Sequence, residues 1–379
     1  MTDAGSKAAR PALRGVSRAS RSGLARLYGA RRRVFVAGIG AVVCVLQLDA
    51  APPAAAKPPA VIDFAFAGDV HFTEQVAGLL QVPKPRRLAK VKALMAGADI
   101  AMVNFESAVT TRGTPAPKTY HFRAPASSLD ALAAAGVDVV TMANNHAVDF
   151  GAQGLTDTLA AVDWHRKLGA PWVVGIGRNL AQANAPVVLQ VKGLRVAVFG
   201  ATDIPDWTAA KFPATRTRAG VNSTVRSDAA LVAAVKQWRG RADIVVVLMH
   251  WGVEYTKCPS RSQRNKSRDL VAAGADLVIG SHPHIQQGMG MKGKALVAYS
   301  LGNFIWFWND RLDRASTGVL HVQMRGREVI RAWWKPTRTL DSGEPTPVTD
   351  KSRIATVARD LRQRAACADL ALPKGWKVG

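Results

Sequence analysis

A chain of 379 residues, 48% of them hydrophobic, is long enough to bury the core of one large α/β domain or two smaller ones. Its formal net charge of +24 points to an anionic partner such as a nucleic acid, a membrane surface or an acidic polymer. No RNA-binding signature, zinc finger or helix-turn-helix pattern accompanies that charge, so nucleic acid is not expected.

Residues 1–57 read as an address. Residues 1–30 are rich in Arg, Ser, Ala and Gly and are expected to be disordered. Arg31-Arg32-Arg33, the apolar run from Val34 to Leu48 and the small residues Ala54-Ala55-Ala56 then have the layout of a secretory signal peptide. The apolar run is short of the about 20 residues a membrane helix needs, although an uncleaved anchor is the alternative. Arg32-Arg33-Val34-Phe35-Val36 also resembles a twin-arginine signal. The protein is therefore expected to be exported, to the periplasm or the outer face of the inner membrane. Of the three cysteines, Cys44 lies in the apolar run, and Cys258 and Cys367 match no zinc spacing. In an oxidising compartment these two can pair or stay free.

From Ala60 one pattern repeats. Val61 to Ala67 runs into Gly68-Asp69-Val70-His71, and Ala98 to Val103 into Asn104-Phe105-Glu106-Ser107. Val137 to Met142 runs into Ala143-Asn144-Asn145-His146, and Arg195 to Phe199 into Gly200-Ala201-Thr202-Asp203. Ala242 to Met249 runs into His250-Trp251-Gly252-Val253-Glu254, Ala275 to Ile279 into Gly280-Ser281-His282-Pro283-His284, and Leu296 to Ser300 into Leu301-Gly302-Asn303. Apolar runs of this length are what strands buried on both faces look like. Residues 86–96, 127–135, 151–168, 227–239 and 262–273 have apolar positions at helical spacing. Strand–helix alternation gives an α/β fold with largely parallel sheets. Its ligand crevice lies outside the carboxyl ends of the strands, where the polar residues cluster. Singly each has a plain reading: Asp69 as a helix N-cap, Asn104 as a turn residue, Asn144 as a loop-strand cap. Together they converge. In extended backbone His282 and His284 point the same way, so both imidazoles can serve one spot.

The ordered set Asp69, His71, Glu106, Asn145, His146, His250, His282 and His284 resembles the calcineurin-like metallophosphoesterase superfamily. Phe66-Ala-Gly-Asp-Val70, Val103-Asn-Phe-Glu-Ser107, Ala143-Asn-Asn-His146, His250-Trp-Gly-Val-Glu-Tyr255, Gly280-Ser-His-Pro-His-Ile285 and Tyr299-Ser-Leu-Gly-Asn-Phe304 narrow the resemblance to the capsule-synthesis CapA family, which is associated with poly-γ-glutamate. The resemblance implies a layered α/β/β/α sandwich, metallophosphatase-like, with helices flanking mixed, largely parallel sheets. It also implies two divalent metal ions, for which this oxygen and nitrogen donor set suits Mn, Fe or Zn. Asp69, His71 and His284 would hold one metal, and Asn145, His250 and His282 the other. Glu106 would bridge them, standing where the superfamily has a shorter Asp. His146 would be the general acid, and Glu254 a catalytic partner or substrate contact. Asn104, Ser107, Lys118, Arg123, Asp149 and Asn303 are the expected substrate-binding shell, with Lys257, Arg261 and Arg264 as further cations for an anionic substrate.

Residues 58–340 are expected to form the catalytic domain, and 341–379 a C-terminal basic extension with one amphipathic helix over 351–368. Two classes of function follow. One is an exported metal-dependent hydrolase or transferase acting on an anionic polymer such as poly-γ-glutamate. The other is a non-catalytic polymer-binding or scaffold subunit beside a membrane-bound synthase. A phosphodiesterase or phosphatase of unrelated substrate shares the residues of the first.

Overall fold

Three stretches of chain build two sheets in turn, and the last returns to the first. The computed structural model describes residues 60–307, 312–339 and 342–379; the N-terminal segment expected to be an export signal lies outside the described residues. The first stretch runs β1 (Val61–Val70), α1 (Ala89–Met95), β2 (Ile100–Phe105), α2 (Ser127–Ala134), β3 (Val139–Thr141), α3 (Gly151–Lys167) and β4 (Trp172–Val174). The second runs β5 (Val187–Val191), β6 (Leu194–Thr202), α4 (Ala229–Arg239), β7 (Ile244–His250), α5 (Arg261–Ala273), β8 (Leu277–Ser281), β9 (Met289–Lys292) and β10 (Ala295–Ala298). The third adds β11 (Asn303–Ile305), β12 (Ser316–Arg325), β13 (Glu328–Thr339), β14 (Pro345–Pro347), α6 (Lys351–Cys367) and β15 (Lys377–Val378).

Sheet one has the order β14-β13-β12-β1-β2-β3-β4, with β11 also on β1 and β15 on β13. β1 through β4 are parallel, while β12 and β13 join as an antiparallel hairpin. Sheet two has the order β9-β10-β8-β7-β6-β5, parallel at its centre and antiparallel at both edges.

The two-residue strand period sorts the apolar side chains into layers. Ile62, Phe64 and Phe66 of β1, with Ile100 and Met102 of β2, meet Val196, Val198, Val246 and Leu248 of sheet two between the sheets. The alternate residues Ala65, Val103 and Val140 pack outward with Leu94, Leu132 and Leu155 of α1, α2 and α3. Ala197, Phe199, Val245 and Val247 do the same on the other side with Leu231, Val235 and Leu270 of α4 and α5. The result is the α/β fold that the alternation gave, in the α/β/β/α layering that the resemblance implied. Each fully buried side chain of this kind stabilises it by about 2 kcal/mol over the exposed state.

The C-terminal segment is tied into this body. Leu361 of α6 enters the layer between the sheets, β15 pairs with β13, and Cys367 is disulfide-bonded to Cys258. Trp306 and Phe307 pack inside, as does Trp334; Trp308 lies outside the described residues. Among the described residues no helix is long and apolar enough to cross a membrane.

Candidate metal centre

The parallel strands all end on one edge, so their last residues share it. Register sets Asp69 opposite Asn104 and Asn303, and His250 opposite Ser281. The approach of β1 to the Leu301–Asn303 turn is so close that a Cβ on Gly68 would lie 1.7 Å from the Gly302 carbonyl oxygen. Asp69 N–H donates to that same oxygen at 2.9 Å. Glycine at 68 thus fixes the first ligand position.

Two groups of ligand atoms gather there. Around His250, Nε2 lies 2.7 Å from Asn145 Oδ1 and 3.1 Å from His282 Nδ1. These are the three residues the resemblance assigned to one ion. Alongside, His284 Nδ1 is 3.2 Å from Asp69 Oδ2. Glu106 Oε1 lies 3.7 Å from His250 Nδ1, and Glu106 Oε2 is 3.8 Å from His146 Nε2. The carboxylates of Asp69 and Glu106 with His250 form one compact set, and the exposed Glu254 with the buried His282 and His284 forms another.

The Asn104 amide sits among the first set. Its Nδ2 is 2.8 Å from Asp69 Oδ1, 2.9 Å from Glu106 Oε1 and 3.0 Å from His250 Nδ1. An amide nitrogen has two protons, and it faces three acceptors. Asp69, Glu106, His71 and His250 are all fully buried, and Glu106 Oε2 and His71 Nε2 have no hydrogen-bond partner among the described residues. Donor atoms this crowded, buried and incompletely satisfied fit a divalent cation better than they fit one another.

Electrostatics agree. Burial drives the His71, His250 and His282 imidazoles well below their ordinary range, with neighbouring histidines adding to the effect for each. They are held neutral, the form that ligates metals. Burial, reinforced by Asp69, pushes Glu106 well above the usual carboxylate range. That is the behaviour of two carboxylates crowded together without a cation.

His146 stands beside the set with its own support. Its Nδ1 donates to Asp149 Oδ2 at 2.7 Å, and the same oxygen accepts from Phe122 N–H at 2.6 Å. Lys118 Nζ ion-pairs with Asp149 Oδ1 at 2.5 Å. The proton on Nδ1 leaves Nε2 as a lone pair facing Glu106. Burial lowers the His146 pKa to about 4 against the upward pull of Asp149.

Several expectations need correction. His282 and His284 do not converge from an extended strand: β8 ends at Ser281, and both histidines adopt left-handed backbone, φ 95° and 58°. That conformation costs about 1 kcal/mol or more per residue, and here it aims two rings 5.7 Å apart into the site. His71 belongs to neither compact group, yet His146 and His284 lie close enough to lower its pKa. Its ring stacks on Phe122 at 4.4 Å and abuts Trp306 and Phe307, and its Nδ1 accepts from Thr73 N–H. Its buried Nε2 is the ring nitrogen left without a partner among the described residues.

The expected substrate-binding shell lies mostly behind the ligands. Asn104, Ser107, Asp149 and Asn303 are buried to 3% exposure or less, too deep to meet a polymer. Asn303 Oδ1 instead lies 2.9 Å from His284 Nδ1, and Ser107 has an unpartnered hydroxyl. Lys118 is turned inward to Asp149 and the Asn145 carbonyl. The Arg123 guanidinium lies over the Phe150 ring, 3.3 Å from its centroid. Strand-end side chains on a sheet edge point into the fold as readily as out of it, which is why spacing did not separate the two. Glu254 is exposed at the mouth, beside His282 and His284.

Asn144, whose plain reading was a loop-strand cap, is a structural pivot. Fully buried, it donates to Asn104 Oδ1 and the Phe105 carbonyl and accepts from His146 N–H. Ser281 was missed too; its hydroxyl lies 3.1 Å from His250 Nδ1. The doubled Asn144-Asn145 was the available signal for the first; nothing in the sequence marked the second.

Comparison with known proteins now becomes informative. A family model described as "Bacterial capsule synthesis protein PGA_cap" matches residues 63–307, which span every ligand candidate above. The chain belongs to that family. It is 31% identical over 328 residues to a PGA biosynthesis protein CapA of Bacillus subtilis, covering 84% of this chain and 80% of that one. It is 32% identical over 276 residues to a capsule biosynthesis protein CapA of Bacillus anthracis, covering 70% of this chain and 64% of the other. A probable polyglutamine synthesis accessory protein of Mycobacterium tuberculosis is 29% identical over 63% of this chain and 64% of its own length. Among solved structures, a phosphatase from Mycoplasma pneumoniae overlaps 73% of this chain and 94% of its own, at 16% identity and a TM-score of 0.45. A 5'-nucleotidase from Candida albicans overlaps 80% of this chain and 58% of its own, at 11% identity and a TM-score of 0.42. At those scores the structural likeness carries no argument.

Proposed function

We propose that the protein is an exported, metal-dependent hydrolase or transferase acting on an anionic polymer of the poly-γ-glutamate type in capsule synthesis. The observation that carries this reading is the convergence of Asn145, His250 and His282 beside Asp69, Glu106 and His284. These residues would hold two divalent ions, Mn, Fe or Zn. Ions bound there supply Lewis acidity and hydroxide at neutral pH.

The chain's own residues do the rest. Asp149 holds His146 in the tautomer that keeps Nε2 free, so His146 can take a proton at that atom and return it to a leaving group. Lys118 anchors Asp149 in that role. Glu254 at the mouth is placed to meet substrate or support His282 and His284. Export is supported by the Cys258–Cys367 disulfide, which suits an oxidising compartment. The second reading, a polymer-binding subunit beside a membrane synthase, is favoured by the Mycobacterium tuberculosis relatives, which are described as probable polyglutamine synthesis accessory proteins. The test is turnover of polyglutamate and of phosphoesters by the purified full chain with added metal. The enzyme reading expects His146→Ala to lower the rate by about 10²-fold or more; equal rates in wild type and variant would overturn it.

A further inference from the structure

Outside the metal centre a second polar region has no assigned role. It is an open cleft of about 300 Å³ between α6, β13 and the 251–260 loop. That is the small end of the range of ligand sites, with room for a short segment of a longer molecule. Lys257 comes from the loop, Arg338 from β13 and Arg353 from the first turn of α6. None of these three side chains makes a hydrogen bond or salt bridge to another side chain among the described residues. Among the described residues Asp360 is the one carboxylate on the wall. At the back, Thr337 is 1% exposed with its hydroxyl unpartnered, while Arg364 is fixed by donating to the Gln286 carbonyl. Val357 and Leu361 supply an apolar floor.

Cations with no side-chain hydrogen bond or salt bridge of their own face an open space from three separate elements, and the N-cap carboxylate of Asp350 is the nearby charge that Arg353 feels. Arg353 even sits in the first turn of α6, where the helix dipole disfavours a positive charge. The disulfide at Cys258 and Cys367 strings the loop and helix together beside the cleft. We propose that this cleft binds a run of carboxylates on one polyanionic chain, a site distinct from the metal centre. The proposal rests on the anionic-polymer reading above and adds where the polymer is held. Several negative charges on one ligand match several separated cations, as a single small anion does not.

The cleft is continuous with the metal centre along the chain. Lys257 is three residues from Glu254 at the mouth, so their Cα atoms are at most about 11 Å apart. Gln286 lines the cleft two residues beyond His284. In the proposal, a polymer long enough to span this short stretch of chain occupies the cleft with one segment and the mouth at Glu254 with another. The cleft would then supply binding energy remote from the reacting bond.

The experiment is titration of the purified full chain with poly-γ-glutamate of defined length at low salt, by calorimetry. The probes are the polymer, monomeric glutamate at equal carboxylate concentration, and a polyphosphate of equal charge. The polymer is expected to bind at least a hundredfold more tightly than the monomer. The double variant Arg338→Gln, Arg353→Gln is expected to lose at least tenfold in affinity and much of the salt dependence, and to melt with the wild type. Lys257→Gln alone is expected to weaken binding by a smaller factor. Asp69→Ala, which disables the metal centre, is expected to bind polymer within about twofold of wild type. Wild-type affinity in the double variant would overturn the proposal, as would tighter binding of polyphosphate than of polyglutamate. Polymer turnover unaffected in rate or KM by the double variant would overturn the cleft while leaving the enzyme reading standing. Cleft-dependent binding with no turnover in the presence of metal would support the cleft and overturn the enzyme.

Discussion

The metal centre and the C-terminal cleft are both polar, and they are built in opposite ways. The first is made by strand ends, is buried apart from Glu254 at its mouth, and turns its donor atoms on one another at 2.7–3.8 Å. The second is made by a helix, a strand and a loop, is open to water, and holds more cations than carboxylates. Buried groups that crowd together want something small and highly charged in their midst. Separated surface cations want something long. The first should be insensitive to salt and absolute in its dependence on single residues; the second should be graded and screened within a Debye length of about 8 Å at physiological ionic strength.

The largest effect should come from Asp69→Ala. It removes a buried ligand and is expected to lower turnover by about 10³-fold or more, with polymer binding kept, read by kcat and calorimetry side by side. Next is Asp149→Asn, which reverses the hydrogen bond that sets the His146 tautomer. It should lower kcat by about 10²-fold with KM little changed, and a parallel rise in KM would mean that Asp149 acts on binding instead.

Smaller, and on the other region, is the double variant Cys258→Ser, Cys367→Ser. The bond closes a loop with a sequence separation of 109. Its loss should cost about 2–4 kcal/mol in chemical denaturation. It should loosen polymer binding while leaving metal content unchanged. A loss of metal content would show that the two regions are one mechanical unit.

The smallest effect belongs to neither region and must be separated from both. His321 on β12 stacks on Trp333 at 4.8 Å, and burial, helped by Lys335, lowers its pKa to about 4. Above about 6.5 the imidazole is neutral in both folded and unfolded chains. As pH falls from there to about 4, only the unfolded chain takes up the proton, so stability falls through that window and levels off below it. After discounting for solvent screening, the loss should be about 2 kcal/mol, seen as a pH slope that His321→Gln flattens. An identical slope in the variant would place the titration elsewhere.

Much of the fold was legible because strands buried on both faces leave continuous apolar runs, as from Val61 to Ala67 or Ala242 to Met249. The helices between them followed from spacing. The β12–β13 hairpin was not legible: its residues alternate with charge and its place on sheet one is a long-range pairing. The disulfide could not be decided from two cysteines so far apart. At the site, residue types and order picked out side chains that the fold brings together, since few chemistries bring Asp, Glu, Asn and histidines to consecutive strand ends. Which way each side chain points was hidden. His71 behind Phe122, Asn104 inside the ligand set and Asp149 behind His146 are all set by tertiary packing. The left-handed turns at His282 and His284 were likewise invisible, because nothing local favours that backbone for histidine.

The central claim is that the strand-end cluster is a metal centre. Elemental analysis of the purified full chain, set against Asp69→Ala and His250→Ala, tests it most directly. The account predicts at least one equivalent of a divalent transition metal in the wild type and its loss in both variants. Less than about half an equivalent in the wild type, or equal content in all three, would contradict it.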